Sequence, residues 1–479
     1  MSRIIEAFHT ACAQEKNKPS FYYLEKGKRR TKTFHELWED TDAMVQYLYG
    51  SGVRKGDRIL AFAAPCYQLC VFMLASLTLG ASIMYVDIWA KQDRLKNAFT
   101  DYRPDYVLVS DQTVLIKVFF REIRRIKNVI NIDSVRVKDY EPAPVEEISE
   151  DAVALLTMTT GSTGTPKIAI RTHRNLFEQL KLINENMEFQ TKDEIVLTTS
   201  YIYVFANIMK GYTTVLPQIN LALQSRSQLS RKLAKFIDIP VSMIITSPDF
   251  CLKTNNLYPE LKRVFFGGAI LNIREAKTIQ SKFGNAEIVY IYGATECNLI
   301  ASTHLTEYIN LLKKEQRCAL GKAVQGVQVK IGKNNEILVS SRALLENYLI
   351  QDKSNKTMED HTVWHNTGDT GVYENGILYY LGRSKYRLNV ESGSIYSNQI
   401  EQNVILQFKA IQKCAVLQKD DMVYLFVEIS ETLDFSEIAV FLRERYHIRN
   451  IQIRRLKRIP CDVKHHTKIN YQKLMERII

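Results

Sequence analysis

Short apolar runs alternate with longer amphipathic stretches over most of the chain, a pattern that predicts α/β layers. The runs at 105–110 (DYVLVS), 152–158 (AVALLTM), 194–200 (EIVLTTS), 241–247 (VSMIITS) and 287–293 (EIVYIYG) read as buried strands, and 115–127 and 174–187 as helices. Ile59–Val86 carries no charge over 28 residues, long enough to span a bilayer. Pro65 and Gly80 break it, however, and Tyr67, Gln68, Ser76 and Thr78 interrupt it. Strand, helix (YQLCVFMLASLTLG) and strand (ASIMYVD) fit it better, so no membrane span is expected.

After residue 384 the texture changes. A hairpin pattern over AIQKCAVLQKDDMVYLFVEIS precedes a capping box, Asp434 to Glu437, that opens a helix; a basic strand, NIQIRRLKRI, follows. The predicted architecture is α/β. A large N-terminal domain of layered β-sheets and helices spans 1–384, and a small α+β C-terminal domain spans 385–479.

Composition adds little to this. At 46% hydrophobic and 24% charged, with no low-complexity tract, the chain is an ordinary globular one. Its eight cysteines lack paired CxxC spacing, which argues against a zinc site or a disulfide framework. MSRIIEAFHT does not read as a signal peptide, so a reducing, cytoplasmic setting is expected. The formal charge is +12, and basic residues such as Arg443, Arg445, Arg454, Arg455 and Arg458 crowd the C-terminus. Such a field suits nucleic acid, a membrane surface, coenzyme A or an acidic carrier protein, and equally a solvated face with no partner. No nucleic-acid module signature accompanies it, so nucleic acid is not expected as a partner.

Candidate chemistry lies in a few stretches. Met158–Lys167, MTTGSTGTPK, offers hydroxyls, two glycines and a lysine between a predicted strand and a predicted helix, where α/β folds bind phosphate. It is not a Walker loop, because Pro166 stands where that motif needs glycine. FFGGAI (265–270) lets backbone approach a flat ligand, and IYGATEC (291–297) ends a strand with a hydroxyl and a carboxylate. HNTGDTG (365–371) presents Asp369 from a tight turn, YYLGRSKYR (379–387) presents Arg383, and DVKHHTKIN (462–470) contains Lys468. Taken singly, each has a bland reading as turn former, helix cap or surface lysine.

In this order the stretches resemble the adenylate-forming superfamily of acyl-CoA synthetases, nonribosomal peptide adenylation domains and luciferases. The resemblance runs from TFHEL (33–37) through GVRKGDRILAF (52–62) and LGKAVQGVQVKI (320–331) to TKINYQKL (467–474). It implies attack of a substrate carboxylate on the α-phosphorus of ATP, giving acyl-adenylate and pyrophosphate. Thr159, Thr160, Gly161, Ser162, Thr163, Gly164 and Lys167 would hold the β,γ-phosphates, Thr295 the α-phosphate and Glu296 a Mg²⁺ ion. Gly267, Gly268, Ala269, Tyr292 and Gly293 would wall the adenine, Asp369 would take the ribose hydroxyls, and Arg383 would assist. Lys468 would act from a mobile C-terminal domain that turns about Lys385.

Two stretches depart from the family pattern. NVESGSIYSNQIEQNV (389–404) keeps Glu401 but lacks the usual arginine and proline, and the lysine loop reads IPCDVKHHTKIN. Both look like the subgroup containing olefin β-lactone synthetases and long-chain fatty-acyl activators. The implied acid is fatty or otherwise apolar, with Tyr203 and Phe205 in an acyl pocket, although both could equally be core. The implied acceptor is a thiol, of coenzyme A or of an acidic acyl carrier protein. The alternatives are closure of a β-hydroxy acid to a β-lactone and, in another class, a non-catalytic protein that binds nucleotide or acyl-adenylate.

Overall fold

The computed structural model describes residues 1–86, 100–111, 113, 126, 128–135, 142–144, 146–159, 167–187, 191–219, 221, 224–349, 355–391, 393–462 and 467–478. The helix expected over 115–127 falls almost wholly outside them.

Ile59–Val86 divides as its punctuation predicts. Strand Arg58–Phe62 and strand Ser82–Tyr85 run parallel, joined by helix Tyr67–Thr78, which is buried over most of its length. Among the described residues no helix is long and apolar enough to cross a membrane. These two strands sit in a seven-stranded sheet beside Tyr106–Val109 on one side and Val153–Thr159 on the other, all parallel. Val153–Thr159 then pairs antiparallel with Lys167–Thr172, Thr159 facing Lys167. The Ser/Thr-rich loop therefore joins two strands of a hairpin, not a strand and a helix as expected. Ile168, Ile170 and Thr172 are β-branched and suit a strand; the helix starts only at His173, behind the Thr172 N-cap, and runs to Asn186.

A fourteen-stranded sheet forms the other layer. Its centre is parallel, in the order Thr213–Leu216, Ile195–Thr198, Met243–Thr246, Arg263–Gly267 and Glu287–Ala294. These short runs are buried on both faces, as covered parallel strands should be. The sheet then continues antiparallel through Cys297–His304, Cys318–Ala323, Ile377–Arg383 and Thr362–Glu374. Its far edge is strand Lys28–Thr33, whose first four residues are exposed.

Beyond the turn Ser384–Tyr386, strands Ile411–Lys419 and Met422–Ile429 form the expected hairpin, and Ile451–Arg455 lies parallel to the second strand. Helices Ser397–Gln407 and Phe435–Tyr446 accompany them. Asp434 caps the second helix by accepting from Ser436 N at 2.8 Å. The reciprocal bond from Glu437 that a capping box requires is not among the described hydrogen bonds.

Candidate active site

Hairpins of the two sheets supply the site. Strand Glu287–Ala294 folds back through Thr295 and Glu296 onto Cys297–His304, with Ala294 opposite Cys297. The register slips between Tyr292 and Ala294, and a Cβ on Gly293 would lie 1.9 Å from the Asn298 carbonyl oxygen. Glycine is needed there to close the turn. Gly267 has a similar constraint, since its Cβ would fall 2.3 Å from the Ile291 carbonyl oxygen. Gly268 follows in the left-handed region at φ +97°. The Ala269 carbonyl accepts from Tyr290 OH at 3.1 Å.

Asp369 does not sit in a tight turn. It lies inside the long strand Thr362–Glu374, paired across the ladder with Arg383 at the end of Ile377–Arg383. Gly368 at φ +72° and a register slip between Thr370 and Gly371 bend the strand locally, so turn-like residues occur within a ladder. Both carboxylate oxygens of this buried aspartate are engaged, Oδ1 with Arg383 Nε at 2.9 Å and Oδ2 with Tyr292 OH at 2.8 Å. Asp369 holds the Arg383 guanidinium above its ordinary range, against the pull of burial. Burial, and then Asp369, push the Tyr292 phenol well up, so it stays a donor.

Glu296 accepts a short hydrogen bond from Tyr348 OH, and its own carbonyl accepts from Leu345 N at 2.9 Å. Lys167 Nζ stands 5.5 Å from the centre of the Tyr348 ring. Arg171, immediately before the Thr172 cap, is buried and ties three elements together. Its guanidinium donates to Thr157 Oγ1 at 2.7 Å, to Gln179 Oε1 at 2.7 Å and to the Thr295 carbonyl at 3.0 Å. Burial pushes its pKa down to about 10, opposed by Glu296 and Tyr348. His365 is buried and its pKa is likewise lowered, chiefly by desolvation; Glu296 opposes that while Lys356 and Lys167 add to it. Sequence reasoning singled out none of Arg171, Tyr348 and His365. The signal for Arg171 was a charged residue directly after the apolar run Ile168–Ile170.

Lys468 stands at the stem of its loop. Cys461 and Ile469 form a bridge, and Asp462 N donates to the Lys468 carbonyl at 2.7 Å. Desolvation lowers the Lys468 pKa most, followed by Arg383, while Asp369, Asp462 and Glu296 pull it up. Its ammonium therefore shares one field with residues from two hairpins of the large sheet. Below it Glu401, buried at 3% exposure, accepts from Val416 N at 2.9 Å and from Tyr471 OH at 2.7 and 2.8 Å. The Tyr471 ring lies 4.4 Å from that of Tyr386, next to the exposed Lys385.

Thr160, Gly161, Ser162, Thr163 and Gly164 lie outside the described residues; Thr159 ends its strand. Tyr203 and Phe205 fall on helix Tyr201–Lys210, Phe205 within the main core and Tyr203 against it. Burial pushes the Tyr203 phenol up to about 12.

The chain belongs to the family of AMP-binding enzymes, whose sequence pattern it matches over residues 8–349, and is of the AMP-forming acid–thiol ligase type. It is 21% identical over 428 residues to the D-alanine–D-alanyl carrier protein ligase of Staphylococcus aureus, covering 85% of this chain and 84% of that one. Its structure resembles o-succinylbenzoate CoA synthetase from Bacillus subtilis, solved with the acyl-adenylate intermediate, with a TM-score of 0.81 at 20% identity over 98% and 97% of the two chains. The amide bond synthetase McbA from Marinactinospora thermotolerans also gives a TM-score of 0.81, at 15% identity over 99% and 100%. The likenesses show the fold; they lend no support to the finer β-lactone subgroup or to a fatty acid substrate.

Proposed function

We propose that the chain uses ATP to convert a small carboxylic acid into its acyl-adenylate, releasing pyrophosphate, and then passes the acyl group to a thiol of coenzyme A or of an acyl carrier. One observation carries the reading: Lys468, from the far C-terminal part, shares its electrostatic surroundings with Asp369, Arg383 and Glu296. A carboxylate is a weak nucleophile approaching an anionic phosphate. What the protein can supply is position and cationic neutralisation, and a desolvated ammonium beside that locus supplies both. In this reading Lys468 bridges the substrate carboxylate and the α-phosphate, and Arg383 and Lys167 neutralise phosphate charge. Asp369 accepts from ribose hydroxyls and Tyr292, with Gly267, Gly268 and Ala269, borders the adenine.

A magnesium ion fits the donor set. Among the described residues no cluster of three acidic, histidine or cysteine ligands exists, and Glu296 offers one carboxylate beside the phosphate locus. Mg²⁺ is commonly held this way, by one or two carboxylates plus phosphates. When bound it would neutralise phosphate oxygens; Glu296 would hold it and Thr295 would contact the α-phosphate.

We further read 385–479 as a small domain that reorients about Lys385 between the two half-reactions. For the acid, the helix Tyr201–Lys210 carries no carboxylate to meet an amino group, which favours an apolar acyl chain. The changed segment 389–404 favours a second reading of the last step, capture by the acid's own β-hydroxyl in place of a thiol. A pyrophosphate-release screen decides among these. It should offer fatty, β-hydroxy and aryl acids and D-alanine, with and without coenzyme A, and identify products by mass spectrometry. Lys468→Ala should lower ATP–pyrophosphate exchange by orders of magnitude while leaving ATP binding nearly intact. Normal exchange by that variant would sink the assignment.

A further inference from the structure

Lys413, on strand Ile411–Lys419, makes an unusual set of contacts. Its ammonium pairs with Glu275 Oε1 at 3.0 Å, and both side chains are only 15% exposed. The same ammonium donates to the Thr467 carbonyl at 3.2 Å and lies 3.9 Å from Cys461 Sγ. Thr467 immediately precedes Lys468, and Cys461 forms the other side of the loop stem through its bridge to Ile469. Glu275 belongs to helix Ile273–Phe283 of the large sheet's surroundings, and its second oxygen accepts from Asn272 N at 3.0 Å in a capping box. The carboxylate is therefore fixed before Lys413 reaches it. Around this pair Arg274 donates to the Ile411 and Phe408 carbonyls at 2.8 and 3.2 Å and Asn272 to that of Gln412 at 3.3 Å, while the Leu271 carbonyl accepts from Gln402 Nε2 at 3.4 Å. Burial pulls the Lys413 pKa down, but Glu275, Cys461 and Glu428 outweigh it, so the group stays charged.

We propose that Lys413 is a positioning residue: by holding Glu275 and the Thr467 carbonyl at once, it latches the Lys468 loop into the adenylation pose. The inference rests on the role proposed for Lys468, but its central prediction concerns exposure and needs no catalysis. In a rotated pose Lys413 would leave Glu275, so the latch stabilises one half-reaction's geometry and not the other's. Arg274 and Asn272 bind backbone carbonyls and lack this charge selectivity.

The test is acetylation of the full-length protein with an N-hydroxysuccinimide ester, read at Lys468 by mass spectrometry. Exposed Lys385 and Lys314, the latter 83% exposed, serve as internal standards. Lys413→Met should raise the Lys468 labelling rate about tenfold, as loss of a buried charge-assisted contact implies. Glu275→Gln keeps the helix cap and guards against a simple folding defect; it should raise labelling in the same direction, and Lys413→Arg should restore much of the protection. With an acid that supports exchange, kcat for ATP–pyrophosphate exchange should fall in proportion in Lys413→Met while KM for ATP stays level. Unchanged Lys468 labelling in both Lys413→Met and Glu275→Gln would overturn the latch, even with Lys468→Ala inactive. An active Lys468→Ala would overturn the catalytic reading instead, and the labelling comparison would still stand.

Discussion

Asp369→Asn removes one charge and almost no volume, and it separates a structural aspartate from a nucleotide-binding one. In the folded protein each carboxylate oxygen already accepts one bond, from Arg383 at 2.9 Å and from Tyr292 at 2.8 Å. Hydrogen bonds to charged groups contribute about 1.5–3 kcal/mol each. The asparagine oxygen can keep one of them, and Arg383 is 29% exposed, so water makes good part of the loss. A stability loss of about 2 kcal/mol follows, readable as a lower urea midpoint. If ribose hydroxyls also bind this group, ATP affinity should fall separately by about tenfold or more. Isothermal titration of ATP without acid, at a temperature where both proteins are folded, measures that term. A midpoint shift with ATP affinity within about twofold of the wild type would show that Asp369 only holds Arg383 and Tyr292, and the ribose assignment would fail.

Burial raises Glu401 to about 7 from its ordinary 4.5, against the opposing bonds from Val416 N and Tyr471. The fold thus holds this proton more tightly than the unfolded chain. Its stabilising effect is fully present below about pH 4.5 and is lost as pH rises through 7, by about 3 kcal/mol at most. Glu401→Gln should flatten that slope in urea titrations between pH 5 and 8; an unchanged slope would refute the assignment. Arg171→Lys replaces a fork that reaches Thr157, Gln179 and the Thr295 carbonyl by a point donor that cannot span them. Pyrophosphate exchange should fall about tenfold or more with modest change in unfolding midpoint, and exchange at the wild-type rate would show that Thr295 needs no such support.

The central strands were legible because each is an unbroken apolar run, and covered parallel strands have that composition. Ile59–Val86 was legible through Pro65 and Gly80, which local chemistry makes unambiguous. The turn expected around Asp369 failed for a physical reason. Gly368 and Gly371 supply bends, but pairing with Ile377–Arg383, decided elsewhere in the chain, absorbs them as a bulge. The Ser/Thr-rich loop was misassigned in the same way, since only the ladder between Thr159 and Lys167 reveals a hairpin. Arg171 escaped notice because its meaning lies in contact with Thr295, 124 residues away. Lys413 was invisible for the same reason, being an unremarkable lysine until Glu275 is brought opposite it.

The border strand Lys28–Thr33 gives part of the molecule's positive charge a use that involves no ligand. An open strand at the rim of so wide a sheet invites a second molecule to add its own backbone there. The side chains at that rim include Lys28, Arg29, Arg30 and Lys32, of which the last three pair with Asp238, Glu25 and Asp40, so two neighbours meeting rim to rim would have to strip water from a row of ion pairs. A charged, hydrated edge of this kind disfavours edge-to-edge addition of a second sheet.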